Sequence, residues 1–146
     1  GFAPVVVEEP AFRQNLRAGS PLGLHASCTA NYTFASTSCE SVSNGLVAAA
    51  ASMSGFANCG SSEKCGYSIL SHSASEVTGK HETPVHHYKD DLSFALSPTG
   101  PSSCEVKGHS TSEIWYAVLD DGTNYCNLHN LVSATGLTFT ENIDKS

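Results

Sequence analysis

The chain has 146 residues, enough for one domain with a hydrophobic core of its own. Its formal net charge is −7, with 7 Lys and Arg against 14 Asp and Glu. This balance argues against nucleic acid or an anionic membrane surface as partner, since both are gripped by clustered basic side chains.

Residues 1–24 read as an extended N-terminal arm and residues 25–146 as a single α+β domain. In the arm, Val5-Val6-Val7 favours extended backbone, and Pro4, Pro10, Pro21, Gly19 and Gly23 rule out a long helix. An arm that cannot bury a core of its own is ordered by packing on something else, either its own globule or a partner. Phe2, Val5, Val6, Val7, Phe12, Arg13, Leu16 and Arg17 are the candidate partner contacts. The start has neither a basic n-region nor a long apolar h-region, so the sequence is expected to be a mature chain whose presequence has been removed. The longest uninterrupted apolar run, residues 46–51, is far short of the roughly 20 residues that span a bilayer.

Tyr32 and Phe34 alternate with polar residues as in a short strand. Thr37-Ser38-Cys39-Glu40 has the pattern of a capping box, with Thr37 as N-cap and Glu40 reaching back to it. Cys39, Val42, Leu46, Ala49 or Ala50, and Met53 then fall on one face of a helix expected to run to about Ser54 and stop at Gly55. Asn44-Gly45 weakens its first turns by roughly 1 kcal/mol relative to alanine. Residues 56–66 form a loop with two cysteines. A hairpin follows from 66–73 and 75–83, then a strand over 91–97 with Leu92, Phe94 and Leu96 on one side. Pro98-Thr99-Gly100-Pro101 is a turn, and 104–109 and 113–119 are further strands. Asp120-Asp121-Gly122 is read as a tight turn, and 137–140 as a last edge strand. The fold class is α+β: one amphipathic helix packed on an antiparallel sheet of about four to six strands.

Six cysteines, Cys28, Cys39, Cys59, Cys65, Cys104 and Cys126, include no CxxC pair. An even count without metal-type spacing points to three disulfides and an oxidising, extracytoplasmic compartment. Six cysteines allow about 15 pairings. The sequential one, Cys28–Cys39, Cys59–Cys65 and Cys104–Cys126, is the expectation, because each pair brackets a turn or neighbouring strands.

No residue pattern requires a cofactor. His81, His86 and His87 cluster near Glu82, Asp90 and Asp91, but adjacent histidines on a strand face opposite ways, and no HExxH or zinc-finger spacing occurs. A solvated, His-rich strand or loop is the reading. Asp120-Asp121-Gly122-Thr123-Asn124 departs from the EF-hand spacing. There is no GxSxG elbow or phosphate-binding loop. Asp90 and Asp91, being adjacent, straddle a strand and make a poor acid–base pair, so an enzyme is not expected. Asn31-Tyr32-Thr33 is an N-glycosylation sequon, which makes Asn31 a candidate. Trp115, Tyr116 and Tyr125 are read as core or interface residues.

The segment Thr123-Asn124-Tyr125-Cys126-Asn127-Leu128 resembles one found in small, uncharacterised, cysteine-containing algal proteins. That resemblance brings no activity and no site residues. Gly1-Phe2-Ala3-Pro4 resembles the targeting junction of plastid proteins in algae of the red lineage, which implies a plastid, thylakoid-lumen location and a photosynthetic complex as the setting. The expected function is that of a non-enzymatic soluble accessory subunit docking through its arm on other protein subunits, which include a membrane complex. The alternative is a secreted binding protein for a small apolar ligand or a glycan.

Overall fold

Two-residue alternation carries the first strand, β1 (Ser27–Phe34): Cys28, Ala30, Tyr32 and Phe34 are buried and the residues between them half-buried. The computed structural model describes residues 27–57, 59, 62–113 and 121–143, the stretch 121–126 by its backbone alone. The arm, and residues 114–119 of the expected strand with Trp115 and Tyr116, lie outside the described residues.

Helix α1 (Cys39–Ser52) follows, and its N-cap is Ser38 rather than Thr37. The Ser38 Oγ accepts the Ser41 amide at 3.2 Å, the cheaper solution because Ser38 is one residue nearer the free amides of the first turn. Cys39, Val42, Leu46, Ala49 and Ala50 form the buried face, as the spacing predicts. The helix gives way at Met53, and Gly55 takes the left-handed conformation at φ 68°.

The remaining strands are β2 (Tyr67–His72), β3 (Glu76–Glu82), β4 (Lys89–Gly100), β5 (Ser103–Ser112) and β6 (Thr140–Ile143). The expected strand 91–97 is the centre of β4, with Leu92, Phe94 and Leu96 buried. The turn expected at 98–101 shrinks, because β4 continues through an irregularity between Pro98 and Gly100 before the chain reverses. All strands pair antiparallel in one six-stranded sheet of order β2-β3-β4-β5-β1-β6.

A second helix, α2 (Asp121–Ala134), stands where Asp120-Asp121-Gly122 was expected to turn the chain. Its buried residues, Asn127, Leu128, Leu131 and Val132, recur at helical spacing, and that burial outweighs the local turn preference of Asp-Gly. The one-helix expectation is therefore corrected to two helices among the described residues. Gly108 on β5 makes room for this helix, since a Cβ there would come within 3.1 Å of Phe94 and 3.3 Å of Leu128. Both helices pack on the same face, α1 over β2 to β5 and α2 over β1 and β5. No helix among the described residues is long and apolar enough to cross a membrane.

Among the described residues two disulfides pin the domain, consistent with an oxidising, extracytoplasmic environment. Cys59–Cys65 is as expected, but Cys39 pairs with Cys104 across 65 residues, which overturns both the Cys28–Cys39 and Cys104–Cys126 pairings. The sheet decides the partner: Cys104 sits opposite Phe34 at the end of β1, where α1 is about to begin, so Cys39 lands over β5 with a Cα–Cα distance of 5.0 Å. The other two cysteines are Cys28 on β1 and Cys126 on α2, elements that pack together. Non-reducing peptide mapping is expected to recover a Cys28–Cys126 peptide; recovery of both as alkylatable thiols would reject a third bridge.

Candidate functional site

One pole of the sheet gathers the polar chemistry. The register sets Tyr67, His81, Asp90 and Ser112 side by side on four adjacent strands, all facing the helices and all buried. Asn127 of α2 comes down on this row. His81, Asp90 and Asn127 are each 0% exposed.

The hydrogen bonds fix the wiring. His81 Nε2 lies 2.9 Å from the main-chain carbonyl of Glu63, so that nitrogen donates and carries the proton. The Asn127 amide donates to Asp90 Oδ2 at 2.7 Å, and the Tyr67 hydroxyl donates to the Asn127 carbonyl at 2.8 Å. Tyr67 and His81 rings are 4.6 Å apart. His81 Nδ1 stands 3.7 Å from Asp90 Oδ2, too far for a hydrogen bond. Among the described residues, Nδ1 of His81, Oδ1 of Asp90 and Oδ1 of Asn127 make no hydrogen bond. The solvated histidine cluster expected from the sequence thus loses His81, because strand parity turns it inward with Val77.

Asp91 faces the other way, as adjacency required. Its carboxylate takes a Lys80 ammonium hydrogen bond at 2.7 Å, and Lys80 also donates to Glu113. These bonds, to Asp91 first and Glu113 second, push the Lys80 pKa up. Burial raises the Asp91 pKa, but the Lys80 hydrogen bond, with Glu113 alongside, outweighs this and leaves it below the usual carboxylate range. With side chains 38% and 58% exposed, the Lys80–Asp91 pair adds little stability.

Beyond the row, the β3–β4 loop forms an exposed tip. Thr83 closes it, accepting the His87 amide on its carbonyl and the Tyr88 amide on its hydroxyl. His87 sits at φ 57°, a left-handed conformation that costs a histidine free energy, and is held there by Glu82 at 2.7 Å and by the edge of Phe56 at 5.2 Å. His86 stacks on Tyr88 at 5.1 Å. Phe56 and Val85 remain 39% and 66% exposed. The loop after α1 reaches the tip through Gly66, where a Cβ would lie 2.2 Å from the Glu82 carbonyl oxygen, so only glycine fits.

Two further surfaces stand out. An apolar groove of about 260 Å³ runs between α1 and the edge strand β2, lined by Val47, Ala50, Ala51, Tyr67 and Ile69. The face of the sheet opposite the helices is polar, with rows of Ser, Thr and charged residues; Asn31 lies on it. On this face His109 Nδ1 and Nε2 contact the Thr29 and Thr111 hydroxyls at 2.6 and 2.8 Å. Desolvation by these surroundings first, and the charge of Lys107 second, hold its pKa below the usual histidine value. The unfolded chain takes up that proton near pH 6.5 and the native chain only at lower pH, so stability contributed above about 6.5 is lost as pH falls from there toward the native pKa. Proton NMR titration is expected to show His109 titrating below the ordinary histidine value of about 6.5; a midpoint at or above that value contradicts it.

No family model matches the chain, and no curated protein matches it. Among solved structures, a conserved protein from Geobacillus kaustophilus aligns over 76% of this chain and 98% of its own length, at 9% identity and a TM-score of 0.37. So loose a superposition transfers neither fold nor function.

Proposed function

We propose that the chain is an accessory subunit of a larger extracytoplasmic assembly, anchored by the tip together with the N-terminal arm. The observation that carries this is the exposed trio Phe56, Val85 and His86, with half-buried Tyr88 stacked on His86, at a tip where Glu82 and Phe56 hold His87 in its left-handed conformation. Exposed aromatic and aliphatic side chains held in one geometry are what anchors of protein interfaces consist of, since little ordering entropy is left to lose on docking. The arm's Phe2, Val5, Val6, Val7, Phe12 and Leu16 supply apolar contacts of the same kind, with Arg13 and Arg17 as charges. The plastid lumen, with a photosynthetic complex as the assembly, is the setting that the N-terminal resemblance supports.

The test is gentle isolation of the tagged chain from its source, followed by sizing and mass spectrometry of co-migrating proteins. Co-migration with a large complex, reduced by Val85→Asp and lost on deletion of residues 2–24, supports the proposal. Migration as a lone chain rejects it.

The groove between α1 and β2 favours a second reading, a carrier of a small apolar ligand. At about 260 Å³ it falls below the usual range for drug-sized ligands, roughly 300–1,000 Å³, and suits only a compact molecule. Extraction of the native protein and mass spectrometry of the organic phase tests it, with Ala51→Trp as the variant that fills the groove.

A further inference from the structure

We infer that Asn31 is N-glycosylated and that its glycan lies along the polar face of the sheet. The inference rests on the extracytoplasmic location that the disulfides indicate, and is independent of the tip.

The register carries the argument. Tyr32 of the sequon is fully buried, so alternation turns Asn31 and Thr33 to the opposite, solvent-facing side of β1. Asn31 pairs with Lys107 on β5 and Asn142 on β6, Lys107 pairs with Ala95 on β4, and Ala95 with Glu76 on β3. A straight row, Glu76–Ala95–Lys107–Asn31–Asn142, therefore crosses five strands with the sequon asparagine inside it. Ala95 is the smallest side chain of that row, and around it the face sinks into a groove of about 350 Å³ lined by Thr29, Glu76, Ser93, Ala95, Lys107 and His109. Adjacent strands stand about 4.8 Å apart, so the groove opens roughly 10 Å from Asn31, within reach of the first sugars.

The lining suits a saccharide. Sugar hydroxyls both donate and accept; Glu76 accepts, the Lys107 ammonium donates, and the Ser93 and Thr29 hydroxyls do either. The donor for attachment would be a polyprenyl-pyrophosphate-linked oligosaccharide. The bond from the anomeric carbon to the pyrophosphate oxygen breaks, a bond from that carbon to Asn31 Nδ2 forms, and one amide proton leaves as the pyrophosphate departs. The central position of β1 is no obstacle when transfer precedes its pairing with β5 and β6, which follow it by many residues in the chain.

The test uses the full chain secreted from a eukaryotic host. Glycopeptide mass spectrometry is expected to find a glycan on Asn31, absent from both Asn31→Gln and Thr33→Ala. Full-length secreted protein without sugar on Asn31 overturns the site. An endoglycosidase that leaves one N-acetylglucosamine then tests the docking on folded protein without mutation. Trimming is expected to shift the NMR signals of Ala95, Lys107 and His109; shifts confined to Asn31 and its immediate neighbours would overturn the docking on the face.

Discussion

Replacing Cys39 and Cys104 together with serine is expected to destabilise the domain by about 4 kcal/mol, whereas the same change at Cys59 and Cys65 costs about 2 kcal/mol. In the chain-entropy account the difference comes from the span each bridge closes, 65 residues against 6. The position of the longer bridge adds to this: it joins the first residue of α1 to β5, where the sheet is flanked by β4 and β1, so its loss frees the helix from the layer it covers. For a domain of this size the melting temperature should drop by roughly 8–16 °C, at about 2–4 °C per kcal/mol. Thermal unfolding followed by circular dichroism measures it. Equal drops for the two pairs would show that span does not govern the effect.

Asn127→Leu is expected to cost about 3 kcal/mol, because it strips the buried Asp90 carboxylate of the amide that donates to it at 2.7 Å. Leucine keeps the branched skeleton of asparagine but is bulkier, so overpacking of the site is the rival explanation. The partner variant separates the two accounts. Asp90→Leu with Asn127→Leu removes both polar groups, and should recover most of the loss, as replacing a whole buried polar pair by apolar groups of similar volume often does. Urea denaturation of the four forms of the cycle gives the coupling. A single-variant loss no larger than that of a surface substitution, or a double variant worse than Asn127→Leu, would contradict the wiring of the row.

The sequence made the strands and α1 legible because their signals are local. Alternation at Leu92, Phe94 and Leu96 places β4, and the spacing of Cys39, Val42 and Leu46 places α1. The second helix was missed for a physical reason. Asp120-Asp121-Gly122 has the preferences of a turn, and the apolar signal that overrides them is spread over Leu128, Leu131 and Val132, which only tertiary burial makes decisive. The polar row was readable in principle. Asp90 has the same parity as Leu92, and His81 the same parity as Val77, so both should face inward. Proximity in sequence groups His81 with the exposed His86 and His87, whereas strand phase separates them. The groups that complete the row lie beyond the reach of local pattern, since Glu63, Tyr67 and Asn127 arrive from a loop, another strand and a helix.

The strand order also governs when the protein can fold. Among the described residues β1 is the first strand, yet it lies between β5 and β6, so its first neighbour begins only at Ser103 and its second at Thr140. Cys28 and Cys39 appear early and close together, while the native partner of Cys39 comes 65 residues later. In an oxidising compartment those two thiols are available to each other before Cys104 exists, and a bond between them would be the wrong one. A chain that forms that bond must exchange it for Cys39–Cys104, at the pace of thiol–disulfide reshuffling rather than of sheet formation, from seconds to hours.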